Sequence, residues 1–154
     1  MIQLTQAQQR AYMSDYLENG WREERMSFSS VSLEPGYIDG RINVEHFQMP
    51  GDGRFHFSAQ SAMIWISQLG IIYGCWDNQL SEKAGEVYLR DLDIKFKRTI
   101  NTTEEVRFEG FFPKQCKKRL SDDLVYYKNA QIHVEGGAFT GTASFLVPTG
   151  KVAE

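Results

Sequence analysis

Cysteine is scarce in this chain. Cys75 and Cys116 are its two thiols; they fall in different elements and match no metal-ligand spacing. Cys75 is expected to be a free, buried thiol. Basic excess is missing as well: 17 Lys and Arg stand against 20 Asp and Glu, a net charge of -3. That balance gives no grounds for a nucleic-acid surface. No apolar run is long enough to cross a bilayer, and the one around Trp65 is short and interrupted, so no membrane association is expected. The first residues, MIQLTQAQQRAYMSDYLE, lack a basic segment followed by an apolar one. They therefore read as no signal peptide, and a cytoplasmic, reducing setting is the expectation. A nucleophile triad, a P-loop, a dinucleotide fingerprint and a metal-binding constellation are also lacking, so neither metal nor cofactor is expected.

What is present is ordinary in bulk and unusual in one place. Hydrophobic residues make up 42% of the chain and charged residues 24%. A chain of 154 residues suffices for one domain with a real core, so 1–154 is expected to be a single domain. The unusual place is His56 to Tyr73, HFSAQSAMIWISQLGIIY. It reads as a helix over about 58–76, apolar nearly all the way round, with Ser58 as its N-cap. Such a helix is expected to be wrapped by other structure. Ser67 and Gln68 lie in its interior, where polar groups need partners or a ligand.

Strand patterns flank this helix. A first helix is expected over about 5–18, capped by Thr5 and stopped at Asn19-Gly20. Phe28 to Leu33 alternates, Glu34-Pro35-Gly36 makes a turn, and Tyr37 to Phe47 alternates again. After the long helix, Glu86 to Ile100 reads as one strand with a bulge at Asp91. Val106–Phe112, Leu124–Val134 and Ala138–Val147 complete the set, with a change of phase near Asn129 and a hairpin at Gly136-Gly137. The order is helix, two strands, a long buried helix, then four antiparallel strands: an α+β protein. A helix of about 19 residues is a rod of about 28 Å, long enough to run across such a sheet.

The segment Gly53-Arg54-Phe55-His56-Phe57-Ser58-Ala59, followed by Ser67-Gln68-Leu69, resembles the FcoT-like branch of the hotdog superfamily. Those proteins are long-chain acyl-CoA thioesterases and relatives that act on acyl-carrier-protein thioesters. The resemblance implies a hotdog fold: an antiparallel sheet wrapped around a central helix, with an extra N-terminal helix. Two departures stand out. Ser58 and Ser67 occupy positions where that branch carries asparagines, and Pro50 or a neighbour replaces a loop tyrosine. His46-Phe47 and Pro50-Gly51 also mimic the loop of hydroxyacyl-carrier-protein dehydratases. The position one turn before Gln68, however, is Ile64, which cannot act as an acid, so a standard dehydratase is not expected.

The implied activity is processing of an acyl-CoA or acyl-carrier-protein thioester, by hydrolysis or by a lyase step at the β-carbon. His56 would serve as general base, with Ser67 and Gln68 holding water or product. The amides of Ser58, Ala59 and Gln60 would polarise the thioester carbonyl at the helix N-terminus. Tyr16 would correspond to the tyrosine of the first helix, and Met63 and Trp65 would line the acyl chain. Lys114, Lys117, Lys118 and Arg119 read either as a solvated loop or as a dock for CoA phosphates or an acidic carrier protein. His46, Asp52, Asp77, Asp15 and Glu18 are outside candidates. A homodimer at least is expected. The other class of function is a non-catalytic acyl-binding protein.

Overall fold

The computed structural model describes residues 6–12 and 22–150. Its frame follows from period-two alternation. β1 (Arg25–Glu34) and β2 (Tyr37–His46) form a hairpin through Pro35-Gly36, where Gly36 takes a φ of 84° that other residues rarely adopt. In β2 the inward set Ile38, Gly40, Ile42 and Val44 is buried, while Tyr37, Asp39, Arg41 and Asn43 face the other side. Each fully buried Ile contributes about 1.5–3 kcal/mol. A surface ion pair gives about 0–1 kcal/mol, so the inward row sets the register.

The helix α2 (Ala59–Asp77) follows, then β3 (Tyr88–Phe96), β4 (Val106–Phe111), β5 (Lys117–Ser121), β6 (Leu124–Val134) and β7 (Phe139–Pro148). The seven strands make one antiparallel sheet in the order β1-β2-β4-β6-β7-β3, with β5 also on β6. The connection through α2 carries the chain from β2 to β3 at the far edge. β4 pairs with Gln131 to Val134 of β6 and β5 with Leu124 to Tyr127, so the two run end to end along one neighbour. A single turn of 3-10 helix, Lys114–Cys116, separates them.

α2 lies on one face of the sheet. Ala62, Ile66, Leu69 and Tyr73 are buried with Ile38, Phe108, Phe145 and Val147 in the core. The expected wrapping is incomplete. Met63 is 45% exposed, Ile64 43% and Trp76 39%, and Gln68 is exposed beside them. One sheet can cover one face of a helix, so the opposite face of α2 stays open.

Other expectations shift for physical reasons. β3 stops at Phe96, short of the expected Ile100, because the chain turns inward there. Ile100 is buried, its carbonyl accepts from the Phe57 amide at 2.9 Å, and the Arg98 guanidinium donates to the Glu135 carbonyl at 2.7 Å. The basic segment Lys114 to Arg119 is not a loop but the 3-10 turn and the start of β5. Cys75 is half-buried, whereas Cys116 is the buried thiol. The first helix, α1, spans Gln6–Tyr12, and its described side chains are exposed, Tyr12 at 76%. It is no part of the packed layer; the rest of the expected helix, with Thr5, Asp15, Tyr16 and Glu18, lies outside the described residues.

Candidate functional site

The N-terminal end of α2 gathers more chemistry than any other place the sequence singled out. Ser58 caps the helix with extended backbone, φ -77° and ψ 158°, and its Oγ accepts from the Ser61 amide at 3.0 Å. The Ala59 and Gln60 amides then have no acceptor within the helix, as in any first turn. Ser61 Oγ donates to a Glu24 carboxylate oxygen, and Ser58 Oγ lies 2.8 Å from Ser61 Oγ. With the Ser61 proton committed to Glu24, the Ser58 hydroxyl must donate to Ser61. The result is a directed chain, Ser58 to Ser61 to Glu24, that ends on a carboxylate. Ser58 and Ser61 are both buried, which strengthens each of these bonds. Gln60 Oε1 is buried nearby on the same turn without a hydrogen-bond partner.

His56 stands two residues before the cap and is half-buried. It lines a cleft of about 400 Å³ with Asp52, Arg54, Phe55, Thr99 and Asn101. That loop is pinned from beneath: Asn101 Nδ2 donates to the Phe55 carbonyl at 2.6 Å, and the Arg54 amide donates to Asp52 Oδ1 at 3.1 Å. His46, by contrast, is exposed at the end of β2, its Nδ1 2.9 Å from the Glu23 carbonyl.

Ser67 and Gln68 do not join this group within one chain. Eight residues of helix separate Ala59 from Ser67, a rise of about 12 Å. Neither is the buried interior polar group expected of it. Ser67 Oγ donates to the Met63 carbonyl at 2.8 Å, one turn back on its own helix, and Gln68 is exposed. Met63 points to the open face as well. Trp65 packs against β1: its ring meets Phe28 edge-on at 4.8 Å, and Nε1 donates to Met26 Sδ at 3.0 Å. Ala59 is exposed on the first turn.

The basic segment splits by function. Lys117 Nζ bonds Asp77 Oδ2 at 2.7 Å, and Arg119 Nη1 donates to the Asp122 carbonyl at 2.9 Å. Lys114 and Lys118 remain exposed. Lys117 and Asp77 belong to a second polar cluster, at the C-terminal end of α2. Tyr127 donates to Asp77 at 2.5 Å and accepts from Asn78 Nδ2 at 2.8 Å. Burial, then the bond to Asp77, holds the Tyr127 hydroxyl well above its usual range. Burial, with Asp77 close by, pushes the Cys116 thiol up to about 11. Tyr73 stacks on Phe112 at 3.9 Å and accepts from the Gly36 amide at 2.9 Å. Tyr73, Asp77, Lys117 and Tyr127 border a cleft of about 380 Å³. Their polar atoms satisfy one another, which is the pattern of a structural tie.

Sequence reasoning missed Glu24, Ser61 and Asn101. Ser61 stands at the third position after a serine cap and was open to notice. Glu24 is 37 residues from Ser61, and only the fold brings them together. Comparison of the chain with protein-family models, with curated proteins and with solved structures finds no match.

Proposed function

We propose that this chain is a hotdog-type protein that binds an acyl thioester at the N-terminal end of α2 and hydrolyses it. The observation that carries the reading is the Ser58-capped start of a long helix, with two amides to spare, beside His56 and above a serine relay to Glu24. The element order and the single helix laid across an antiparallel sheet support the fold assignment. In the reaction, His56 takes a proton from water, whose oxygen attacks the thioester carbonyl carbon. The developing oxyanion is held by the Ala59 and Gln60 amides, where the helix dipole favours negative charge. The C–S bond then breaks, the proton passes to the leaving thiolate, and a free acid and a thiol result. The Ser58–Ser61–Glu24 chain holds the first turn in place and fixes the direction of its hydroxyls.

The open face of α2 supports a symmetric dimer in this reading. Ser67, Gln68 and Met63 point away from their own sheet, so they meet a ligand only if a second subunit closes over them. His56 of one subunit would then work with the helix face of the other. A non-catalytic acyl-binding role is favoured by one observation: Ile64 stands where a helix acid would assist chemistry.

The test is a panel of acyl-CoA and acyl-carrier-protein thioesters with thiol release as the readout. His56→Ala should lower turnover by about two to four powers of ten while still binding a substrate analogue. Binding without turnover selects the non-catalytic reading. Absence of both across the panel overturns the proposal.

A further inference from the structure

The face of the sheet opposite α2 carries a feature apart from the site at the N-terminal end of α2. β7 is flanked by register shifts on both sides at the same height. On one side β3 slips between Leu89 and Asp91; on the other β6 slips between Tyr127 and Ala130. Leu89 and Tyr127 both pair with Phe145, and Asp91 pairs with Ser144. Each bulge keeps two successive residues off the core face, Arg90 and Asp91 in β3, Lys128 and Asn129 in β6, all four exposed. The β6 bulge is built in: Asn129 takes a φ of 55°, and its amide donates to the buried Ser144 Oγ at 3.0 Å.

These bulges place charge around one groove. Lys118, Tyr126 and Leu146 form a cross-strand row over β5, β6 and β7. With Arg90, Lys128 and Leu120 they line a groove of about 450 Å³, large enough for a nucleotide. Among the described residues three cations line it and no carboxylate does. Asp91, the acid next to Arg90, accepts from Tyr126 at its flank, at 3.3 Å. Farther along this face Arg107 pairs with Asp39 at 2.5 Å and Glu109 at 3.0 Å, and Arg41 with Asp39 at 3.5 Å, whereas exposed Lys95 makes no ion pair among the described residues. Among the described residues Arg90, Lys118 and Lys128 have no counter-ion. Concentrating three unmatched cations in a chain of net charge -3 costs self-repulsion, which an anionic ligand removes.

We propose that this groove binds a phosphorylated nucleotide, with its phosphates on Arg90, Lys118 and Lys128 and its base on Tyr126, Leu120 and Leu146. Arg supplies a planar fork for phosphate oxygens, and the lysines add point charges. The apolar half distinguishes a nucleotide from a free polyphosphate. Leu120 is 49% exposed, and a base would cover it. The site is independent of the N-terminal end of α2 and does not rest on the thioester reading.

Calorimetric titration of the intact protein with ADP, pyrophosphate and adenosine at low ionic strength tests it. ADP should bind, more weakly as salt rises. Arg90→Gln and Lys128→Gln should each weaken it about tenfold. Both residues are exposed, so melting temperatures should be unchanged, and Lys83→Gln, at a lysine that pairs with Glu86 and does not line the groove, should leave ADP binding intact. Failure of ADP to bind at about 1 mM, a level that detects Kd values down to weak millimolar sites, overturns the site. Pyrophosphate binding as tightly as ADP overturns the nucleotide assignment, and so does adenosine binding as tightly as ADP. Full affinity in both Gln variants places the ligand elsewhere.

Discussion

The Tyr127 hydroxyl, together with Lys117, joins the end of α2 to the sheet. It donates to Asp77 and accepts from Asn78, yet each partner keeps another bond: Asp77 to Lys117, and Asn78 Nδ2 to the Gly74 carbonyl at 2.7 Å. Tyr127→Phe should therefore cost only about 1 kcal/mol near neutral pH, measured by denaturant melts. The alkaline behaviour is more telling. Tyr127 and Cys116 are neutral when protonated, and their folded-state values are raised by burial, that of the thiol from 9.0 to about 11. Their stabilisation is complete below the unfolded-state values and is lost as pH climbs through the folded ones. Stability should thus fall between about pH 9 and 11 as the thiol titrates, with the tyrosine adding to the loss once pH passes about 10, its unfolded-state value. Cys116→Ala should flatten the first part of the fall. An unchanged alkaline profile in that variant would show that the thiol is not its source.

At the scale of the element, α2 approaches β7 more closely than a generic helix packs on a sheet. A Cβ built on Gly70 would sit 2.3 Å from the Phe145 ring, and one on Gly74 would sit 2.8 Å from a Val147 methyl. Alanine favours the helix by about 1 kcal/mol over glycine. Overpacking against a buried ring costs about 1–3 kcal/mol, and the ring is 1% exposed with no room to withdraw. Gly70→Ala should therefore lower the melting temperature despite its better propensity; a rise would mean that helix and sheet separate freely. This helix also shows what a single chain discloses. Its cap and length were readable because Ser58 and the apolar run are local signals. The bulges near Asp91 and Asn129 were readable because an extra residue interrupts alternation. β5 was not: KKRLS is exposed throughout and has no alternation, since backbone pairing with β6 and polar side-chain bonds hold it without apolar burial. The exposure of Gln68 was hidden for a different reason. An apolar helix looks the same whether a sheet or a second subunit covers its outer face, and sequence does not distinguish them. At the candidate site, His56 and Ser58 were visible as types in a motif, whereas Glu24 was brought there by tertiary structure alone.

On the scale of the whole molecule, two open surfaces lie where a symmetric partner would close them. Among the described residues β3 is an edge strand of nine residues, paired with β7 on one side only. Tyr88, 57% exposed, and Phe96, 53% exposed, mark its two ends. An unprotected edge of this length invites pairing with another chain. An antiparallel pair of β3 strands about a two-fold axis would satisfy both edges at once and extend the sheet. The open face of α2, with Met63 and Ile64, would then have apolar surface to meet. Sedimentation at micromolar concentration should give a dimer. Substituting Met63→Glu together with Ile64→Glu should convert it to a folded monomer, because both side chains are nearly half-exposed in the single chain and bear little of its core. Circular dichroism separates dissociation from unfolding. A wild-type monomer would remove the dimer and, with it, the shared site in which His56 of one subunit faces Gln68 of its partner. A double variant that stays dimeric would keep the β3 pairing and exclude the helix face from the interface.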